Sequence, residues 1–211
     1  MARPRAFEES ELLETVMRAF WRHGYRSTTY RGLETISGVG IRSLANTFGE
    51  KDDLFARALT RYRQMVADNL ATMFDPPTVH SIVQVFERVS SHAEADDPRS
   101  GGCLMVNTVF EIDEPIENIA DQIAQYRELF RANFQQGLEA GGIPKAETRA
   151  EFLVGALWGA LSQIRLAGYT AAAQPMTSIV IETIRSWTPE DSPRVRNGTS
   201  PSETTNPEPT L

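Results

Sequence analysis

The chain has 211 residues but only one cysteine and three histidines. A single thiol cannot close an internal disulfide or supply a zinc site built from several thiolates. His23, His80 and His92 stand too far apart for a paired-histidine metal helix. No apolar run approaches the roughly 20 residues that a membrane-spanning helix needs. Arg3 and Arg5 near the N-terminus have no hydrophobic stretch behind them, so no secretory leader is expected and the cytoplasm is the expected location. Asn197-Gly198-Thr199 matches a glycosylation acceptor, but without such a leader it has no context. Gly-x-Ser-x-Gly and a phosphate-binding loop are both missing. Gly38-x-Gly40 lacks a third glycine and follows a helical pattern instead of a strand, which removes the dinucleotide reading. No catalytic set, metal or cofactor is expected, and the chain does not read as an enzyme.

What is present is ordinary in amount and uneven in distribution. Hydrophobic residues make up 41% and charged residues 23%, values typical of a globular protein. The net charge is −7, but residues 1–63 hold 11 Arg and Lys against 8 Asp and Glu, while the other 148 hold 10 against 20. The front is therefore +3 and the remainder −10, a balance that suits contact with nucleic acid at one end only.

Helical spacing dominates and no strand or repeat is evident, so the fold class is all-α with about nine helices. Leu12, Val16 and Phe20 form one row, and Leu13, Met17 and Trp21 the next, on a helix from about Glu8 to His23. Gly24 stops it, and Ser27, Thr28 and Thr29 offer caps for a short helix from Tyr30 to Ser37. Gly38-Val39-Gly40 turns the chain into a third helix, Ile41 to about Thr47. Leu33, Ile36, Val39, Leu44 and Phe48 would lock this pair onto the first helix. Further helices are predicted at about 51–74, 79–92 and 103–110, with a loop at 93–102. A seventh has Pro115 in its first turn and Ile116 on its apolar face, and stops at Gly141-Gly142. The last two cover about 145–167 and 175–187. Three units follow: residues 1–50 with a basic arm at 1–7, a helical body at 51–188, and a Pro-, Ser- and Thr-rich tail at 189–211 that reads as disordered.

Two short helices joined by a glycine turn and packed on a longer one have the layout of a helix-turn-helix. The run Gly38-Val39-Gly40-Ile41-Arg42-Ser43-Leu44-Ala45-Asn46-Thr47-Phe48-Gly49-Glu50-Lys51-Asp52-Asp53-Leu54-Phe55, preceded by Gly24-Tyr25 and Thr28-Thr29, resembles the DNA-binding segment of the tetracycline-repressor (TetR) family. The stretch Phe48 to Phe55 is its most specific part. Gly102-Cys103-Leu104-Met105-Val106-Asn107 is similar to the start of the sixth helix in one branch. The resemblance implies a homodimeric repressor that reads a near-palindromic double-stranded DNA operator and responds to a small-molecule effector. Its DNA contacts would be Thr28, Arg31, Gly40, Ile41, Arg42, Ser43, Ala45, Asn46, Thr47 and Lys51. Arg42 suits a guanine and Asn46 an adenine, Ile41 or Ala45 a thymine methyl. Thr28, Thr47 and Lys51 would hold phosphates, and Arg3 and Arg5 the minor groove or a phosphate. Ala45 stands where the family usually has Tyr, Ile41 where Lys is frequent, and Glu34 where a small residue lets the two helices approach.

In the body, Tyr62, Phe74, Phe86, Cys103, Asn107, Phe110, Tyr126, Phe130 and Trp158 are the candidate lining of an effector pocket, with Gln163 a further polar group. Cys103 falls at the start of a helix, where the dipole can lower a thiol's pKa. Glu94, Asp96 and Asp97 oppose that effect, and Arg99 offsets it. A thiol-based redox or electrophile sensor is thus one alternative, and a ligand-binding helical protein with degenerate DNA binding is another. Gly155 and Gly159, four residues apart, together with Ile179, Val180, Ile184 and Trp187, make the last two helices apolar. The family uses that pair for dimerisation.

Overall fold

The computed structural model describes residues 9–93, 97–112 and 117–188. The basic arm with Arg3 and Arg5, Glu94 and Asp96, Pro115 and Ile116, and the tail from 189 lie outside the described residues. Among the described residues every regular element is a helix. The described residues form α1 (Glu9–His23), α2 (Tyr30–Ser37), α3 (Ile41–Phe48), α4 (Lys51–Met73), α5 (Val79–Ser90), α6 (Leu104–Glu111), α7 (Glu117–Ala140), α8 (Ala146–Ala167) and α9 (Gln174–Ser186). Short 3-10 turns at Pro98–Gly101 and Thr170–Ala173 precede α6 and α9. The first of these turns occupies a stretch expected to be plain loop.

The helix ends are set locally. Thr29 caps α2, its hydroxyl accepting from the Gly32 amide at 3.1 Å, and Thr78 caps α5 in the same way through the Ser81 amide at 3.0 Å. At the start of α4, the Asp53 carboxylate accepts from the Glu50 amide at 3.2 Å. Gly38 closes α2 in the left-handed region, φ +69°, where a side chain would be strained. Gly40, the other glycine of that turn, has an ordinary φ of −57°, so this position makes no such demand.

One contiguous apolar cluster runs from α1 to α9. Val16, Met17 and Phe20 of α1 are fully enclosed against Leu54, Phe55 and Ala58 of α4. The Phe20 and Phe55 rings meet edge-on at 4.8 Å. The boundary expected near residue 50 thus falls at a helix cap while the core continues across it. Ile36, expected to help lock α2 and α3 onto α1, is instead 50% exposed. Leu33, Leu44 and Phe48 carry that packing, each at 1% exposure or less.

Candidate DNA-facing surface and cavity

The front three helices leave one surface of α3 open. Leu44 and Phe48 point inward, while Ile41, Arg42, Ser43, Ala45 and Asn46 are exposed and Thr47 is half-buried. Arg31 of α2 is exposed on the same head. Glu34 is turned toward the start of α3. Its carboxylate crosses to the start of α3 and accepts from the Ile41 amide at 3.2 Å, supplying the cap that Gly40 has no side chain to provide. Two expected contacts are differently employed. Thr28 is 5% exposed and donates its hydroxyl to the Gly24 carbonyl at 2.7 Å, so it braces the end of α1. Lys51 is half-buried, with its ammonium 4.3 Å from the centre of the Tyr25 ring. Burial there lowers its pKa, against the pull of Asp52 and Glu111. The Tyr25 hydroxyl donates to Asp52. Burial first, and then that bond, push its pKa up to about 12.

The head is fastened to the body at both ends of α6. At one end the Trp21 indole N–H donates to the Gly102 carbonyl at 2.8 Å, a buried bond. Gly102 has φ +83°, and a Cβ there would lie 3.0 Å from the Leu161 carbonyl of α8. Glycine is thus required on both counts. At the other end the Glu111 carboxylate accepts from the Tyr25 amide at 2.6 Å and from Arg165 at 3.2 Å. The Glu111 carbonyl accepts from the Arg26 guanidinium at 2.8 Å.

Beside the first of these fastenings lies a cavity of about 530 Å³, within the range of small-molecule sites. Tyr62, Cys103, Tyr126 and Phe130 line it. The other expected residues do not. Phe74 and Phe86 are packed into the core, with Phe86 stacked on Phe134 at 5.9 Å. Asn107 is buried and donates to the Gly101 carbonyl at 2.8 Å. Trp158 is half-buried away from the cavity, Gln163 is exposed, and Phe110 is 74% exposed on the surface of α6. Choosing large aromatics selected core residues, because packed rings and lining rings share the same spacing.

The lining that this choice missed is largely aliphatic. Tyr62, Met65, Val66, Asn69, Leu70 and Met73 form a continuous stripe on α4, at the i, i+3, i+4, i+7, i+8 and i+11 positions of one helix face. That register was visible in the sequence. Arg18 and Trp21 of α1 also line the cavity, so its wall belongs partly to the head. No local signal in α1 marks them, since they reach the cavity only through tertiary packing.

Cys103 is fully enclosed. Its Sγ lies 3.3 Å from the Tyr62 hydroxyl, which donates to it, and 3.2 Å from the Tyr126 hydroxyl. Burial pushes the thiol pKa up despite those hydrogen bonds and the nearby α6 amides. The lowered pKa expected from the helix start is therefore reversed, because desolvation outweighs the dipole.

On the last two helices, Phe152, Leu166, Met176 and Ile179 are exposed, Ile179 at 62%, and Gly155 has open space before it. Val180 and Ile184, expected on the same apolar face, are instead buried within the chain. A Cβ on Gly159 would meet Met176 at 2.8 Å, so this glycine serves the approach of α8 and α9 within one chain. Arg149 lies over the Trp187 ring, 4.5 Å from its centre.

A helical head with an exposed short helix is joined to a helical body, with a cavity at the joint. The family model for the tetracycline repressor-like C-terminal domain matches residues 79–180. Just under half of the chain is thus similar to the C-terminal domain of tetracycline repressor-like proteins. It is 25% identical over 138 residues to the HTH-type transcriptional repressor ComR of Escherichia coli K12, a match covering 64% of this chain and 66% of ComR. It is 27% identical over 114 residues to YezE of Bacillus subtilis 168, an uncharacterized HTH-type transcriptional regulator, covering 53% of this chain and 58% of YezE. The matches thus span a little under two thirds of these curated relatives. A cysteine mutant of the TetR-family regulator CifR, solved with 26-base-pair operator DNA, superposes with a TM-score of 0.72 at 23% identity. That match covers 88% of this chain and all of the CifR chain, and at this identity it is a likeness of fold. No helix among the described residues is long and apolar enough to cross a membrane.

Proposed function

We propose that this chain is a homodimeric DNA-binding transcriptional repressor that leaves its operator when a small molecule enters the cavity between head and body. The observation that carries the reading is the shared wall: Trp21 lies on the same helix that supports the head and also faces the cavity. A molecule that pressed on Trp21 and Gly102 would part the bond between them and tilt α1 with α2 and α3. The open face of α3 supplies the readout, with Arg42 and Asn46 directed at base edges and Arg31 at phosphate. In a dimer the two α3 helices must lie about 34–36 Å apart, or a multiple, to enter successive major grooves. The effector acts only through its different affinity for the two arrangements, and a full switch from 1:99 to 99:1 requires about 5.5 kcal/mol.

The test is fluorescence anisotropy with the DNA upstream of the protein's own coding region, titrated with salt, against unrelated DNA. Saturable binding that prefers the upstream fragment is expected. Arg42→Ala should weaken it by about 1–3 kcal/mol, mainly by relaxing preference at one base pair. Equal weak binding of native protein and variant to both DNAs would refute the proposed docking.

A further inference from the structure

The cavity's lining carries an uneven set of charges. Three arginines and one aspartate line it: Arg18, Arg88, Arg99 and Asp97. Arg99 is held by Asp97, with 2.7 Å between the charged groups, and by the Ser91 hydroxyl at 3.3 Å. Arg18 is held by Glu14 at 3.0 Å. Arg88 has no ion pair or side-chain hydrogen bond among the described residues. It is exposed, and together with Asn69 and Met73 it also lines a shallow groove outside the cavity. Those shared residues put the mouth between α4 and α5, with an unpaired guanidinium on it. Glu87 lines the outer groove but not the cavity.

Behind the mouth the wall is apolar and long. The α4 stripe from Tyr62 to Met73 extends about 16 Å along the helix axis. Val85 and Val89 face it from α5, and Leu157 and Leu161 from α8. A guanidinium at the opening and aliphatic side chains within select a molecule of matching polarity.

Resting on the reading of this cavity as the effector site, we propose that it takes an amphipathic organic acid. The carboxylate pairs with Arg88 at the mouth, and the hydrocarbon body lies along α4 toward Trp21 and Tyr62. Arg88 is then the residue that sets the charge preference of the ligand, while the stripe sets its length.

Isothermal titration calorimetry of the full chain with decanoic acid, decanol and decylamine at neutral pH tests this. The acid should bind about tenfold tighter than the alcohol, and the amine should bind weakest. Arg88→Ala should bring the acid down to the level of the alcohol and leave the alcohol unchanged. Arg88→Lys, which keeps the charge, should restore most of the preference. Equal affinity of acid and alcohol in the native protein overturns the proposal, yet leaves the cavity as an apolar effector site. So does an acid preference that survives Arg88→Ala. If none of the three binds, this proposal fails, and release of operator DNA by other compounds decides separately whether the chain is ligand-responsive.

Discussion

A hydroxyl or a thiol does only the chemistry its surroundings permit, and Thr28 and Cys103 are both enclosed. Thr28 occupies a sequence position suited to a phosphate contact, but its hydroxyl is bonded to Gly24. Cys103 begins a helix as its neighbours Gly101 and Gly102 imply, but it faces two phenols in place of water. Burial raises the pKa of such a thiol, which should therefore resist alkylation. Iodoacetamide at about pH 8 should label the urea-unfolded chain readily and the native chain slowly. Equal labelling rates in the two states would show that the thiol is reachable. Residue type was legible from sequence at both positions, whereas enclosure was not, because it depends on partners 41 and 23 positions away for Cys103.

Among the elements, helix spans were read to within a few residues, since their rows of apolar side chains and their threonine and glycine ends are local signals. α2 was assigned the bounds it has, Tyr30–Ser37, while α5 ends at Ser90, two residues short of the expected His92. What locality could not supply is the way short helices are held. Glu34 stands where the family places a small residue, and it caps α3 across the turn. Glu34→Ala should lower stability by about 1 kcal/mol in urea denaturation. Glu34→Gln, whose amide oxygen still accepts, should stay near the native value. If Glu34→Ala is as stable as the native chain, the cap is of no consequence. α6 is held at both ends by the head, and its Trp21 bond is buried. Trp21→Phe keeps an aromatic ring there but leaves the Gly102 carbonyl without its donor. The expected cost is about 1–3 kcal/mol by the same measurement; no loss would mean that this fastening carries no load.

At the scale of the whole molecule, the last two helices divide their apolar residues between two purposes. Val180, Ile184 and Gly159 serve the single chain, while Phe152, Gly155, Leu166 and Ile179 face outward. In the homodimer proposed above, a second copy packed on that outward face would cover large side chains that otherwise meet water. Ile179→Glu should convert the dimer to a folded monomer in light scattering and weaken operator binding, since two half-sites would no longer be held together. A variant that remains dimeric would put the contact elsewhere, with exposed Phe110 and Val109 on α6 the next surface to test. A further consequence follows from Trp21 serving the cavity and the head at once. A lineage or an engineer enlarging the cavity at this position would alter what the protein senses and how it signals in one step. Val85 and Val89 line the same space from α5, and their side chains can change size without breaking the Trp21–Gly102 bond. Changes of taste that leave the response intact are therefore open along α5 and closed along α1.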